Sequence, residues 1–380
     1  MNILNVNMSL DPVMGGGTAE RTVQISRALI KKGVHSAILT TDQGLTANIR
    51  NRLNDLEIIA NRTLIKRFYI PQISFQQLKQ VIVNFDIVHL MNHWTLLNVF
   101  VYYAAKSLGK PYVVCPAGSL LVYGRSKLFK YMYNYLFGKQ LITNASGHIA
   151  ISVNEIPVFD SYGVAPEKVA LIPNGINPRD FINNDVDAFR KKYGLQGIPF
   201  ILFVGRLNDI KGPDLLLSAF CSIKEHYPQY HLVFIGPDAG KLQKLKRIVS
   251  TCDAVSRVHF IGYIGGYEKS QAYHAADLLV IPSRHEAMSI VALEAGIAGT
   301  AVMLTDQCGF AELSKVDGGR IVPATMEGIK RGLSDMLSDP EGLKLMGMKF
   351  RGYVLDKYTW DSVAGQYIEL YRRILSGNLN

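Results

Sequence analysis

No apolar run in these 380 residues reaches the roughly 18 positions that a membrane span needs. Val99–Ala105 and Phe200–Val204 have only the length of a strand or core segment. The amino-terminal end carries no basic stretch and enters the strand-like Ile3-Leu4-Asn5-Val6 at once, which argues against a secretory signal. Cysteine is scarce. Cys115, Cys221, Cys252 and Cys308 are widely spaced, without a pairing or metal-ligand pattern, and read as reduced apolar fillers in a cytoplasmic protein. There is no internal repeat or low-complexity tract, and no segment matches a nucleic-acid-binding module. No Ser/His/Asp set or marked carboxyl dyad points to acyl-enzyme chemistry or hydrolysis.

The chain is 48% hydrophobic and 19% charged, an ordinary globular balance, and its length suits two domains that each bury a core. Its net charge of +10 is uneven: residues 1–180 hold 18 Lys/Arg against 10 Asp/Glu, and residues 181–380 hold 23 against 21. A basic first half favours an anionic partner, and a membrane or phospholipid surface is expected in preference to nucleic acid.

Strand-like runs alternate with helical patterns throughout, which predicts parallel sheets with crossover helices. Five strands are expected in the first half (Ile3–Val6, Ser36–Thr40, Ile87–Leu90, Tyr112–Cys115, His148–Ile151). Five more are expected in the second (Phe200–Val204, His231–Ile235, Val258–Ile261, Leu278–Ile281, Ala301–Leu304). The breaker-rich Pro173-Asn174-Gly175-Ile176-Asn177-Pro178 falls between them as a linker, and Asp361–Leu375 reads as a terminal helix that must pack on something. The expected fold class is therefore α/β, with two Rossmann-like doubly wound parallel-sheet domains.

Chemistry concentrates at Pro282-Ser283-Arg284-His285-Glu286-Ala287-Met288-Ser289-Ile290-Val291-Ala292-Leu293-Glu294. The apolar Leu278–Ile281 before it predicts a buried strand, and Ser289–Ala298 the helix that follows, so the loop lies at the carboxyl edge of a sheet, where such folds bind ligands. The free N–H groups of a helix starting near Met288 suit a phosphate. Glu286 and Glu294, eight positions apart, are too distant for one metal ion or one shared proton, and suit the two ends of a nucleotide-sugar. In isolation the pattern also fits a solvated loop glutamate and a helix glutamate in a surface ion pair. In Val204-Gly205-Arg206-Leu207-Asn208-Asp209-Ile210-Lys211-Gly212, Arg206 and Lys211 leave another sheet edge together, either as a diphosphate clamp or as two solvated cations.

Four other places in the chain could carry chemistry. Gly15-Gly16-Gly17-Thr18-Ala19-Glu20 fails the dinucleotide fingerprint at Glu20 and lacks a Walker A ending, leaving a flexible glycine loop or a plain turn. Asp185-Val186-Asp187 reads as a helix start; no metal site is expected. His93 either faces a ligand at a sheet edge or is structural. Tyr123–Lys139 mixes cations and aromatics at helical spacing, and a helix packing its aromatics on the core is favoured slightly over one lying in a membrane interface.

Together, Gly15–Arg21, Asp86–His89, Ile172–Asn177, Val204–Gly212, Ala275–Glu294 and Tyr367–Tyr371 resemble the retaining glycosyltransferases of family 4, over nearly the whole chain. The resemblance implies the GT-B fold, two domains facing across a cleft, with an acceptor-side domain at 1–175, a nucleotide-sugar domain at 176–358, and a helix at 359–380 returning to the first. By this resemblance Glu294 binds the ribose hydroxyls, Arg206 and Lys211 the donor diphosphate, and Glu286 the donor sugar. The amides of Met288, Ser289 and Ile290 lie near its hydroxyls or the phosphates. Gly16 and Gly17 approach the diphosphate from the opposite domain, and Tyr263 falls in the base-binding loop. The sequence departs from the family where Ala117 stands in place of a sugar-contacting histidine, with His93 or the Gly118 backbone as substitutes, and where Ala287-Met288-Ser289 replaces Gly-Phe-Gly.

The expected activity is metal-independent, retaining transfer of a sugar from a UDP- or GDP-linked donor to a glycan or lipid-linked acceptor, without a cofactor. Its expected setting is bacterial polysaccharide or cell-envelope assembly in the cytoplasm, with peripheral contact at the inner membrane face. A catalytically silent nucleotide-sugar-binding or scaffold subunit is the alternative. An NAD-dependent dehydrogenase is disfavoured by the failed glycine fingerprint.

Overall fold

Runs such as Ile87-Val88-His89-Leu90-Met91, buried on both faces, form central parallel strands, and the amphipathic segments between them become the covering helices. The structure, a computed structural model, describes residues 1–12, 14–65, 69–122, 126–182 and 184–377. It resolves into two units, Met1–Gly175 with Trp360–Asn380, and Ile176–Thr359.

The first unit contains β1 (Asn2–Val6), β2 (His35–Thr41), β3 (Glu57–Asn61), the short antiparallel pair β4 (Thr63–Ile65) and β5 (Ile70–Pro71), β6 (Ile87–Met91), β7 (Tyr112–Cys115), β8 (Gly147–Ala150) and β9 (Val169–Leu171). Seven of these make one parallel sheet in the order β3-β2-β1-β6-β7-β8-β9. The order reverses beside β1, whose carboxyl end leads to the glycine loop and the helix Gly16–Lys31.

The helix Trp360–Leu375 belongs to this unit and is fixed by buried polar contacts. Arg21, wholly buried, donates to Asn174 Oδ1, to the Ile172 carbonyl and to the Tyr367 hydroxyl. Tyr371 Oη lies 2.8 Å from His89 Nδ1.

The second unit holds β10 (Phe200–Val204), β11 (His231–Ile235), β12 (Val258–Gly262), β13 (Leu278–Ile281), β14 (Ala301–Thr305) and β15 (Gly319–Val322), all parallel in the order β12-β11-β10-β13-β14-β15. The switch point lies between β10 and β13, so the loops after these two strands flank the crevice that such sheets use for ligands.

Two expectations need correction. Seven and six strands replace five and five, because Glu57–Asn61, Val169–Leu171 and Gly319–Val322 are edge strands. Glu57–Asn61 has no buried residue and Arg320 interrupts Gly319–Val322, so neither carries a full apolar run, whereas Val169–Leu171 is apolar but only three residues long. Cys221 and Cys252, read as reduced fillers, form a disulfide with Cα atoms 6.0 Å apart. The helices Pro213–Ile223 and Leu242–Thr251 meet and carry the pair together, which a spacing of 31 residues cannot reveal. Cys115 and Cys308 remain free and buried.

Candidate active site

β10 ends in Val204, and the chain turns at Gly205 to expose Arg206, which enters no ion pair among the described residues. Asn208 Oδ1 accepts from the Lys211 amide at 2.9 Å and tightens the turn. Gly212 then closes it at φ +64, a left-handed value suited to glycine, and a Cβ there would stand 2.1 Å from the Pro282 carbonyl oxygen. That close approach lays the loop after β10 on the loop after β13.

A consequence is the ion pair between Lys211 Nζ and Glu286 Oε1 at 2.8 Å, with both side chains largely buried. The Ser283 hydroxyl donates to Glu286 Oε2 at 3.0 Å. The Glu286 backbone is clamped as well: its N–H donates to the Gln307 carbonyl and its own carbonyl accepts from Gly309, both at 3.0 Å. Arg284 serves the scaffold. Its guanidinium grips Asp214 through both carboxylate oxygens at 2.9 and 2.8 Å. Burial would raise the Asp214 carboxyl, but the Arg284 fork outweighs it and holds the group below its usual range.

The helix after this loop runs Ile290–Ala298 with Ser289 at its N-cap position, so it begins two residues later than the earliest expected start at Met288. No acidic residue lies in its first turn and its cap side chain bonds no backbone N–H. Ser289 is 1% exposed, and its hydroxyl has no hydrogen-bond partner among the described residues. First-turn N–H groups without a partner inside the helix, a positive dipole end and the unspent Ser289 hydroxyl thus coincide at Ile290.

Deeper in the same helix Glu294 is 7% exposed. Lys269 Nζ meets its Oε1 at 2.7 Å, and the Tyr273 hydroxyl donates to Oε2 at 2.5 Å. Burial and the adjacent Glu294 charge push the Tyr273 phenol well above its ordinary range, so it stays a donor.

Arg206, Lys211, Glu286, Met288, Ser289, Ile290 and Glu294 therefore lie on the two loops and one helix that flank the switch point. Tyr263 follows β12 at the same sheet edge and is mostly exposed. Gly16 and Gly17 lie in the first unit, where they open the helix after β1. Sequence reasoning missed Lys269, Tyr273, Ser283 and Ser289 Oγ as partners. Lys269 and Tyr273 stand four apart, hence on one helix face, but nothing in their spacing says which carboxylate that face meets.

Both proposed substitutes for the missing histidine are already engaged. His93 is wholly buried among the rings of Trp94, Tyr133 and Tyr162, with Nε2 at 2.8 Å from Asn134 Oδ1. Burial pushes its pKa down to about 4, and the Asn134 contact offsets this only in part. Ala117 adopts φ +50, and the Gly118 N–H is spent on the buried Glu155 carboxylate. In the other unit Asp185 caps the helix Val186–Tyr193, accepting from the Ala188 amide at 3.0 Å.

The segment at 127–139 keeps the favoured core-packed reading only in part: Tyr133 and Phe137 pack against the first unit's core, and the other aromatics do not; Tyr123–Arg125 lie outside the described residues. The helix Lys127–Tyr133 has no buried residue, and Leu128, Phe129, Tyr131, Met132, Tyr135 and Leu136 are exposed. Tyr133 faces inward, its hydroxyl donating to the His93 carbonyl at 2.6 Å. Among the described residues no helix is long and apolar enough to cross a membrane.

A family model described as glycosyltransferase family 4 matches residues 15–180, and one described as glycosyl transferases group 1 matches residues 185–353. An uncharacterized glycosyltransferase of Methanocaldococcus jannaschii is 33% identical over 223 residues, 57% of this chain and 56% of the relative. A lipopolysaccharide 1,2-N-acetylglucosaminetransferase of Salmonella typhimurium is 27% identical over 257 residues, 64% of this chain and 66% of the relative. The chain spans about half the length of most of the curated relatives it matches. The crystal structure of Anabaena HepE in complex with UDP aligns with a TM-score of 0.80 at 18% identity, covering 97% of this chain and 99% of that one. That likeness speaks to the fold alone.

Proposed function

This chain belongs to the GT-B glycosyltransferases of the family 4 type, and on that premise we propose that it transfers a hexose-type sugar from a UDP- or GDP-linked donor to a glycan or lipid-linked acceptor. One observation carries the reading. At the switch point of the second sheet, Arg206, Lys211 and the uncapped start of Ile290–Ala298 supply positive charge, and the flanking loop and helix hold two separate carboxylates. A nucleoside diphosphate matches this order, with ribose at Glu294, phosphates at the cations and helix start, and sugar at Glu286. The lipopolysaccharide transferase supports a role in envelope or polysaccharide assembly.

In this mechanism the bond between the anomeric carbon and the diphosphate oxygen breaks, and the diphosphate leaves with the electron pair. Arg206, Lys211 and the helix N–H groups stabilise the charge that develops on that oxygen. The acceptor hydroxyl attacks from the same face, its oxygen bonds the anomeric carbon, and its proton passes to the departing diphosphate. The configuration is thereby retained. Lys211 would be shared between Glu286 and the phosphate, holding the sugar-side carboxylate while it neutralises the leaving group. These cations make metal independence part of the proposal.

The same reading extends to a peripheral contact with an anionic membrane surface. The exposed apolar residues at 128, 131, 132 and 135, with 129 and 136 beside them, share one side of a helical path. Around them no Asp or Glu occurs from Ile87 to Asn154, against six Lys or Arg. An apolar face within an all-basic stretch fits an anionic bilayer.

The activity test is release of UDP or GDP from a panel of nucleotide-sugars with candidate acceptors, in the presence of a chelator. Product of retained anomeric configuration, formed with the chelator present, is expected. Donor binding without turnover for every acceptor would favour the silent-subunit alternative.

A further inference from the structure

The helix Gly266–Ala275 presents Lys269 and Tyr273, four residues apart, to the one carboxylate of Glu294. Each takes a different oxygen, Lys269 Oε1 and Tyr273 Oε2. A carboxylate offers about four acceptor directions, so two protein donors fix its plane and leave two for an incoming ligand. The donors are themselves fixed. Tyr273 is wholly buried, its carbonyl accepts from the Thr300 hydroxyl at 2.6 Å, and its ring lies 6.0 Å from that of Phe181. The Lys269 ammonium lies 5.7 Å from the centre of the same Phe181 ring. Lys269 also compensates the charge of a carboxylate that is almost out of solvent, which an unpaired buried anion would need.

We infer that Lys269 and Tyr273 are positioning residues that pre-orient Glu294 to accept both hydroxyls of the donor ribose, and so set selectivity for ribonucleotides over their deoxy counterparts. The inference rests on the assignment of Glu294 to the ribose. Its physical content is pre-organisation. A carboxylate already held in one rotamer loses little freedom when a vicinal diol binds, whereas a freed one must be ordered by the ligand. Neither residue touches the reacting atoms, so their loss shifts donor affinity and leaves the turnover rate of saturated enzyme near that of the wild type.

The test is calorimetric titration of the full chain with UDP and GDP and with the 2′-deoxy and 3′-deoxy form of each, alongside KM and kcat for the corresponding donor. The wild type should prefer the ribo form by about tenfold or more, the scale of a hydrogen bond to a charged group. Tyr273→Phe and Lys269→Met should weaken the ribo form several-fold, cut the preference to about threefold or less and raise KM with kcat nearly unchanged. Lys269→Arg should restore the preference, and circular dichroism should show every variant folded. A preference lost in Glu294→Gln but intact in Tyr273→Phe and Lys269→Met overturns the positioning role alone. A preference that survives Glu294→Gln, or is absent from the wild type, overturns the ribose assignment and this inference with it.

Discussion

Arg206 and Lys211 leave the same turn into different surroundings: Arg206 is exposed, while Lys211 already holds Glu286. Arg206→Ala should remove a charge-assisted contact to the diphosphate and weaken UDP or GDP binding at least about tenfold, roughly 1.4 kcal/mol or more, from the low end of hydrogen bonds to charged groups upward. Lys211→Ala should weaken binding similarly and lower kcat as well, because Glu286 loses its partner. Calorimetric affinities unchanged in both variants would contradict the clamp. The sequence brought these residues forward by type and by their place after apolar runs, and the family resemblance, not the spacing, assigned separate jobs to Glu286 and Glu294, which the proposal keeps. The sequence could not identify the pairings Lys211–Glu286 and Lys269–Glu294. These link positions 75 and 25 apart and depend on how a glycine turn and two helices pack. Likewise His93 stood at a suitable sheet edge in sequence, and only burial under Tyr133 and Tyr162 withdraws it from a ligand.

At the scale of elements, central strands were legible because burial on both faces leaves unbroken apolar runs, whereas edge strands such as Glu57–Asn61 and Gly319–Val322 leave none. The helix Lys127–Tyr133 gives the opposite lesson. Its aromatic–basic pattern fits a core-facing helix slightly better than an outward-facing one, and the fold turns most of its apolar side chains outward while Tyr133 packs on the core. If that face meets a membrane, the protein should co-sediment with vesicles containing anionic phospholipid and much less with neutral ones, and salt should weaken the binding. The double variant Phe129→Ser/Tyr135→Ser should lose most of this binding and keep its nucleotide affinity. Equal binding to neutral and anionic vesicles, or none to either, would contradict the proposed contact.

For the molecule as a whole, two units of the same architecture carry different loads. The residues proposed to hold the donor at the switch point of β10 and β13 lie in the second unit, and the buried Arg21–Tyr367 and His89–Tyr371 contacts tie the carboxyl-terminal helix into the first. That first unit should be acid-sensitive. Burial pushes His93 down to about 4; burial, then the Arg21 charge, pushes His89 down to about 3. The unfolded chain, with histidines near 6.5, binds more protons below that pH. Stability should therefore be full above about pH 6.5 and fall as pH drops toward 4, by at most about 1.4 kcal/mol per pH unit for each histidine. Both tryptophans, Trp94 and Trp360, lie in this unit, so urea unfolding followed by tryptophan fluorescence between pH 7.5 and 5.5 reads it directly. The urea midpoint should fall across that range, and less steeply in His93→Gln; a constant midpoint would contradict buried neutral histidines. The central claim, sugar transfer from a nucleotide donor at the second unit's switch point, is tested most directly by nucleoside diphosphate release with donor and acceptor, in the wild type and Glu286→Gln. Acceptor-dependent release by the wild type, reduced at least tenfold in Glu286→Gln while UDP or GDP still binds, is the predicted result. Wild-type binding without release for any donor, or release unchanged by Glu286→Gln, would contradict it.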